Sequence, residues 1–308
     1  MTGALLADGW IEAEDPESAE VILVNSCGFI EPAQTESIEA AFEQVSRYPD
    51  ARVIMTGCLA QRYPEVLATE MPELAGLFGN RRPEGIAEFL RDLERHHVSR
   101  RENRPETPGA PALFSSQERG SGVPRMVPTG EPDWHRRRAT RPRLYTPPGT
   151  AHLKIAEGCV HNCAFCAIPQ IRGTLRSRPV EAILEEFQEL IDRGIREVNL
   201  IAQDLSLLGL EEGRRDFLPL LSGMSEIQGA FWVRLLYIYP EHFPFELLDL
   251  CRQDSRLLPY FDLPVQHASS SVLRGMGRPA TPDKTLQTVK SIQGSLPEAT
   301  IRTTFLVG

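Results

Sequence analysis

Residues 151–178 read AHLKIAEGCVHNCAFCAIPQIRGTLRSR, and the fold turns on how this stretch changes character along its length. His152–Ala156 is a short apolar run of strand type. It leads through Gly158 into a loop that holds Cys159, Cys163 and Cys166 in the spacing C-x3-C-x2-C. Thiolates are soft ligands suited to iron–sulfur clusters, and three from one short loop converge on three corners of a cube. The fourth iron then has no protein ligand and stays open. A structural zinc site normally takes four ligands in pairs. No nearby cysteine completes such a set, and His161, inside the loop, is poorly placed to close around the same ion. Inert buried thiols are the other ordinary reading, but three within so short a loop are unusual for packing.

Downstream, strand and helix patterns alternate. Pro179–Arg193 predicts a helix with Ile183, Leu184, Phe187, Leu190 and Ile191 on one face and Gly194 as its stop. Val198–Ala202, Trp232–Ile238, Tyr260–Val265 and Ile301–Val307 predict further strands. Together with His152–Ala156 they predict a partial (β/α) barrel over residues 149–308, with its site at the carboxyl ends of the strands. Gln203, Gln266 and His267 follow such ends and are candidate cofactor contacts. Arg234 interrupts an apolar strand, where an unpaired cation is costly to bury. Either a bound carboxylate or a structural ion pair inside the barrel relieves that cost. Arg178, which falls near the same mouth together with Arg176, and Phe165, directly before the last loop cysteine, are further candidate cofactor contacts. His267 suits proton transfer or hydrogen-bonded positioning equally. Cys251, in FELLDLC, reads as core.

Upstream, VILVNSC (21–27) and RVIMTGC (52–58) read as buried strands that end in Cys27 and Cys58, beside Gly28 and Gly57. A helix over 32–46, a strand over Leu74–Gly79 and a helix over Pro83–Leu93 complete an α/β, doubly wound parallel sheet within residues 1–95. Ligands sit at the carboxyl ends of such strands. Residues 96–148 are rich in Pro, Gly, Ser and Arg and read as a linker too polar to pack a core. Their Arg136–Arg143 cluster suits either a polyanion or plain solvation.

Composition agrees with a soluble globular protein, 41% hydrophobic and 24% charged. No apolar run approaches the ~20 residues needed to cross a bilayer. The acidic first residues do not resemble a secretory signal, so a cytoplasmic location with no membrane partner is expected. There, six cysteines suit metal ligands or free thiols better than disulfides. A formal charge of −9 argues mildly against nucleic acid as the main ligand.

The motifs KIAEGCVHNCAFCAIPQIRG, RSRP, LIAQD, WVRLLYIYP and DLPVQHASSSVLRGMGR, with VNSCGFIEPAQTESIEA and TGCLAQRY upstream, resemble the radical S-adenosylmethionine methylthiotransferases. The resemblance covers nearly everything outside the linker. It favours the branch that methylthiolates an aspartate of the twelfth small-subunit ribosomal protein over the sister branch that acts on a modified adenosine of transfer RNA. A non-catalytic iron–sulfur or zinc module is the rival from another class. The resemblance implies a flavodoxin-like N-terminal domain and two 4Fe–4S clusters. Cys159, Cys163 and Cys166 would hold the radical cluster, whose open iron chelates S-adenosylmethionine. Cys27 and Cys58 would hold the second cluster with a third cysteine. It further implies a ribosomal protein substrate and an electron donor, and a monomer is expected. Against that pattern the sequence looks cut at both ends: the third cysteine would lie upstream of Met1, and further barrel and a terminal β domain would follow TTFLVG. On that expectation, the chain as given reconstitutes the radical cluster alone.

Overall fold

The computed structural model describes residues 1–102, 125–126, 144–278 and 281–307. The chain divides into two compact units, Met1–Pro142 and Arg143–Gly308.

In the first unit, parallel strands β1 (Val21–Ser26), β2 (Arg52–Gly57), β3 (Gly76–Phe78) and β4 (Arg125–Met126) lie side by side in chain order. Successive side chains point to opposite faces of a sheet. Ile22, Val24, Val53, Met55 and Leu77 therefore pack with α2 (Glu31–Arg47), α3 (Cys58–Arg62) and α4 (Pro64–Glu70). Leu23, Ile54 and Phe78 face the other way and pack with α1 (Thr2–Ala7) and α5 (Ile86–Glu102). Helices on both faces explain why the strands read as unbroken apolar runs. Among the described residues the strand order shows no reversal. The helix expected to stop at Leu93 runs on to Glu102, because neither Gly nor Pro interrupts the chain before Pro105. The expected linker is not wholly without packing: Arg125–Met126 pairs with β3, and Met126 packs into the core against α5. The Arg136–Arg143 cluster lies outside the described residues.

The second unit contains β5 (Thr150–Lys154), β6 (Ala156–Glu157), β7 (Arg176–Ser177), β8 (Glu197–Ile201), β9 (Trp232–Leu236), β10 (Leu257–Asp262) and β11 (Thr300–Arg302). Five of these form an all-parallel sheet of order β11-β10-β9-β8-β5, while β6 and β7 make a small antiparallel pair. The helices are α6 (Ile168–Arg172), α7 (Val180–Asp192), α8 (Phe217–Glu226), α9 (Leu247–Gln253), α10 (Ser270–Gly275) and α11 (Pro282–Ser295). Helix α7 buries Ile183, Phe187 and Leu190. It ends where Gly194, at φ 83°, turns the chain so that Ile195 N–H reaches the Leu190 carbonyl. This is the C-terminal stop that glycine permits. Cys251 is buried in α9, and burial pushes its thiol up to about 12.

Strand β10 begins three residues earlier than Tyr260, with Pro259 taken up in a shifted register against β9. Only two residues of the expected Ile301–Val307 strand, Ile301 and Arg302, pair regularly, and Phe305 then forms a single bridge to Gln266. Arg234 on β9 is a further correction to a cofactor-binding role. Its Nε donates to Glu197 Oε1 at 2.8 Å, and its guanidinium lies 4.8 Å from the centre of the Tyr260 ring. Glu197 opens β8, at the end of the strand opposite the site, so the carboxylate that relieves Arg234 belongs to the protein. Arg234→Met should lower the melting temperature by about 2–4 °C, from the loss of about 1 kcal/mol. Calorimetry checks this, and an unchanged melting temperature would overturn it.

Candidate active site

The cysteine loop is pinned at both ends. Gly158 sits at φ 77°, and a Cβ there would lie 2.0 Å from the Thr174 carbonyl oxygen, so glycine is obligatory. Cys159 N–H donates to the Gly173 carbonyl at 3.2 Å, closing the loop on itself. Glu157, buried at the end of β6, accepts from Lys154 Nζ at 3.2 Å and from Arg172 at the end of α6. The middle is held by Ala164 N–H on the Met276 carbonyl at 2.9 Å, just beyond α10.

This anchoring brings the three thiols together. Burial pushes Cys159 up, and the charges of Cys166 and Cys163 push it further. Burial also raises Cys166, with Cys163 adding to it. Three half-buried sulfurs in one loop suit a cationic metal centre, which binds them as thiolates. Phe165, between Cys163 and Cys166 in the sequence, is half exposed.

Beside the loop stands a stack that the sequence reading missed. Tyr239, just past β9, lies with its hydroxyl 3.4 Å from Cys163 Sγ. Burial first, then that contact, pushes its phenol above the usual range. Its ring stacks on His161 at 4.3 Å, and the Arg278 guanidinium lies 3.9 Å from its centroid. Behind them is Asp204, buried just past β8. Its Oδ1 accepts from the Ser206 hydroxyl at 2.6 Å and the Tyr239 N–H at 3.4 Å. Its Oδ2 lies 3.4 Å from His242 Nδ1 and 3.9 Å from His161 Nε2. The signals were present: Asp204 follows Gln203 directly, and Tyr239 ends the same run as Arg234.

The other predicted residues divide. Gln203 Oε1 and Gln266 Oε1, past the carboxyl ends of β8 and β10, are buried acceptors with no protein donor, which fits a ligand carrying N–H or O–H groups. His267 Nδ1 accepts from Ser269 N–H at 2.9 Å, which fixes its ring as the Nε2–H tautomer and favours positioning. Arg178 is committed to structure instead. It is buried, bonded to the Lys154 carbonyl at 2.8 Å and paired with Glu186 on α7 at 2.7 Å, which corrects its reading as a cofactor contact. Arg176 lies on β7, opposite Glu157.

In the first unit, the register Ser26↔Gly57 sets Cys27 and Cys58 at the same end of adjacent strands. Gly28 allows the close approach there, since a Cβ would meet the Cys58 carbonyl oxygen at 2.6 Å. Asn80, past β3, donates from Nδ2 to Cys58 Sγ at 2.9 Å.

Asp204 yields a pH prediction. Burial alone would raise its carboxyl, but His161, His242 and Ser206 outweigh burial and bring it down to about 2. A carboxyl held below its unfolded value stabilises the fold above pH ~4 and loses that contribution as pH falls towards 2. Asp204→Asn should therefore cost about 2 kcal/mol at pH 7, with the gap to the parent closing between pH 4 and 2 in urea titrations. A gap that stays constant with pH would overturn this assignment.

Comparison with known proteins agrees with the site. The uncharacterized protein family UPF0004 matches residues 1–79, and the radical SAM superfamily matches residues 153–308. The ribosomal protein uS12 methylthiotransferase RimO of Protochlamydia amoebophila is 36% identical over 100% of this chain, which covers 60% of that protein. Its namesakes from Moorella thermoacetica and Sorangium cellulosum are each 37% identical over 100% of the chain, covering 65% and 59% of their lengths. The chain thus spans about three fifths of the curated relatives it matches. Among solved structures, the radical S-adenosylmethionine methyltransferase TsrM from Kitasatospora setae, with cobalamin and a [4Fe-4S] cluster bound, shares the fold. Its TM-score is 0.63 at 17% identity, over 94% of this chain and 58% of TsrM. The cobalamin-dependent S-adenosylmethionine radical enzyme OxsB, with aqua-cobalamin and S-adenosylmethionine bound, has a TM-score of 0.57 at 15% identity, over 93% of this chain and 40% of OxsB. With about half of its residues inside the superfamily match, the cysteine loop and the parallel sheet among them, the chain belongs to the radical SAM superfamily.

Proposed function

We propose that this chain is a radical S-adenosylmethionine methylthiotransferase that adds a methylthio group to an aspartate of ribosomal protein uS12. The observation that carries the reading is the pinned Cys159–Cys163–Cys166 loop, joined to the similarity with uS12 methylthiotransferases along the whole chain. On this reading residues 149–308 form the radical domain, residues 1–95 the methylthiotransferase domain and residues 96–148 the linker between them.

The fit to a 4Fe–4S cluster rests on three soft thiols in one pinned loop and on the absence, among the described residues, of a fourth protein thiol beside them. When bound, the cluster supplies one electron to the sulfonium of S-adenosylmethionine. Gln203 and Gln266 offer their unpartnered Oε1 atoms to the donor groups of that ligand. Phe165 lends a half-exposed aromatic face at the loop, and His267 keeps a fixed tautomer at the mouth. Cys27 and Cys58 supply two ligands of a second cluster, supported by their shared strand-end position. A cytoplasmic monomer that draws on a separate electron donor suits this chemistry. No helix among the described residues is long and apolar enough to cross a membrane.

Replacing Cys159, Cys163 and Cys166 together with alanine should abolish reductive cleavage of S-adenosylmethionine by the anaerobically reconstituted chain. Undiminished cleavage would remove the assignment. Mass spectrometry of uS12 and of transfer RNA after incubation tests the substrate: a methylthiolated aspartate supports this reading, and a methylthiolated adenosine reverses it.

A further inference from the structure

We propose that Tyr239 sets the reduction potential of the cluster on the cysteine loop by donating a hydrogen bond from its phenol to Cys163 Sγ. The inference rests on the cluster assignment above and adds a residue to it. The contact is 3.4 Å, within the reach of a hydrogen bond to sulfur. Once Cys163 ligates iron as a thiolate it has no proton to give, so the phenol is the donor. Hydrogen bonds to ligand sulfurs withdraw charge from a cluster and stabilise its reduced, more negative state.

The surroundings hold the phenol to that task. Tyr239 is buried, and its backbone N–H is tied to Asp204 Oδ1 at 3.4 Å. One ring face lies against His161 at 4.3 Å. The Arg278 guanidinium, itself buried and fastened to the Pro264 carbonyl at 2.9 Å, stands over the ring. A cation over the ring draws electron density from it and makes the O–H a stronger donor. The ring therefore cannot swing away from the sulfur without dismantling its stack.

The same surroundings argue against a second metal at this place. His161, Asp204 and His242 each bring a ligand atom within 4.8 Å of the others. The two imidazoles, however, stack with planes 12° apart, so their lone pairs run side by side rather than converging on one ion. Asp204 is the hydrogen-bonded post behind the stack. Its carboxylate orients Tyr239 through the backbone, and the histidines fill the space around it.

The test is potentiometric electron paramagnetic resonance on the reconstituted full chain. Tyr239→Phe keeps the ring, its stacking and the cation above it, and removes only the donor. Its cluster should keep the parent's iron content and become about tenfold harder to reduce, a shift of about 59 mV to lower potential for a one-electron couple. Replacing Tyr239 by 3-fluorotyrosine, a more acidic phenol, should move the potential in the opposite direction. A structural role alone would move neither value in this signed pattern. A Phe variant with full iron content and an unshifted potential overturns the inference while leaving the cluster assignment intact. A parent chain that takes up no cluster overturns both. Should Tyr239→Phe lose iron, the fluorotyrosine chain decides: an upward shift supports the inference, and an unshifted potential overturns it.

Discussion

Three sulfurs carried on one short loop keep their spacing only while that loop is anchored, and much of the second unit is the framework that keeps them there. Left free, the loop would sample many spacings of its three sulfurs. Gly158 allows the chain to pass under the Thr174 carbonyl, Glu157 draws Lys154 and Arg172 to one buried carboxylate, and Met276 holds the middle by a backbone bond. Each anchor comes from a different segment, so the loop is braced in three directions. Anchors that order the loop in advance lower the conformational cost of binding a metal centre there, which ties loop rigidity to cofactor uptake.

Parallel strands put their carboxyl ends, and the loops that follow them, along one edge. Both units exploit this. In the second, Gln203, Tyr239 and Gln266 follow β8, β9 and β10 in turn. In the first, Cys27, Cys58 and Asn80 follow β1, β2 and β3 in the same way. The chemistry-bearing side chains therefore come from short segments far apart in sequence but equivalent in position. Apolar strand segments such as Val21–Val24 carry no chemistry of their own; they set the spacing between polar residues that do.

Legibility in the sequence followed this division. Elements with strong periodicity, such as α7, and unbroken apolar strands, such as β1 and β2, were plain because their burial is local and repetitive. The loop cysteines were plain because their spacing is itself the signal. Arg178 and Arg234 misled, because a cation in an apolar context announces only that it has a partner, not which one. Glu186 and Glu197, their partners, stand at ordinary helix and strand positions. The Tyr239 stack went unseen for the opposite reason. Its members, His161, Asp204, Tyr239 and Arg278, are spread over more than a hundred residues, and only the sheet brings them to one side of the loop. Met126 shows the same limit, since one apolar residue in a polar stretch has no pattern to reveal that it packs.

Backbone strain marks the same edge independently of side-chain chemistry. Among the described residues other than glycine, only Tyr237 and Gln266 adopt positive φ, at 72° and 69°. Such a conformation costs on the order of 1–3 kcal/mol and persists only where the surroundings enforce it. They do so here: the Tyr237 carbonyl accepts the Leu205 N–H at 3.0 Å, while Gln266 is held through both backbone groups, to Thr304 and Leu306, at 2.8 Å each. Glycine at either position would relieve the strain, yet the sequence keeps a half-exposed aromatic ring at one and a buried, unpartnered amide oxygen at the other. Stability alone gives no reason to retain these side chains in that backbone. Their retention is accounted for if they serve whatever binds at the carboxyl ends of β9 and β10, where Tyr239 already reaches the cysteine loop.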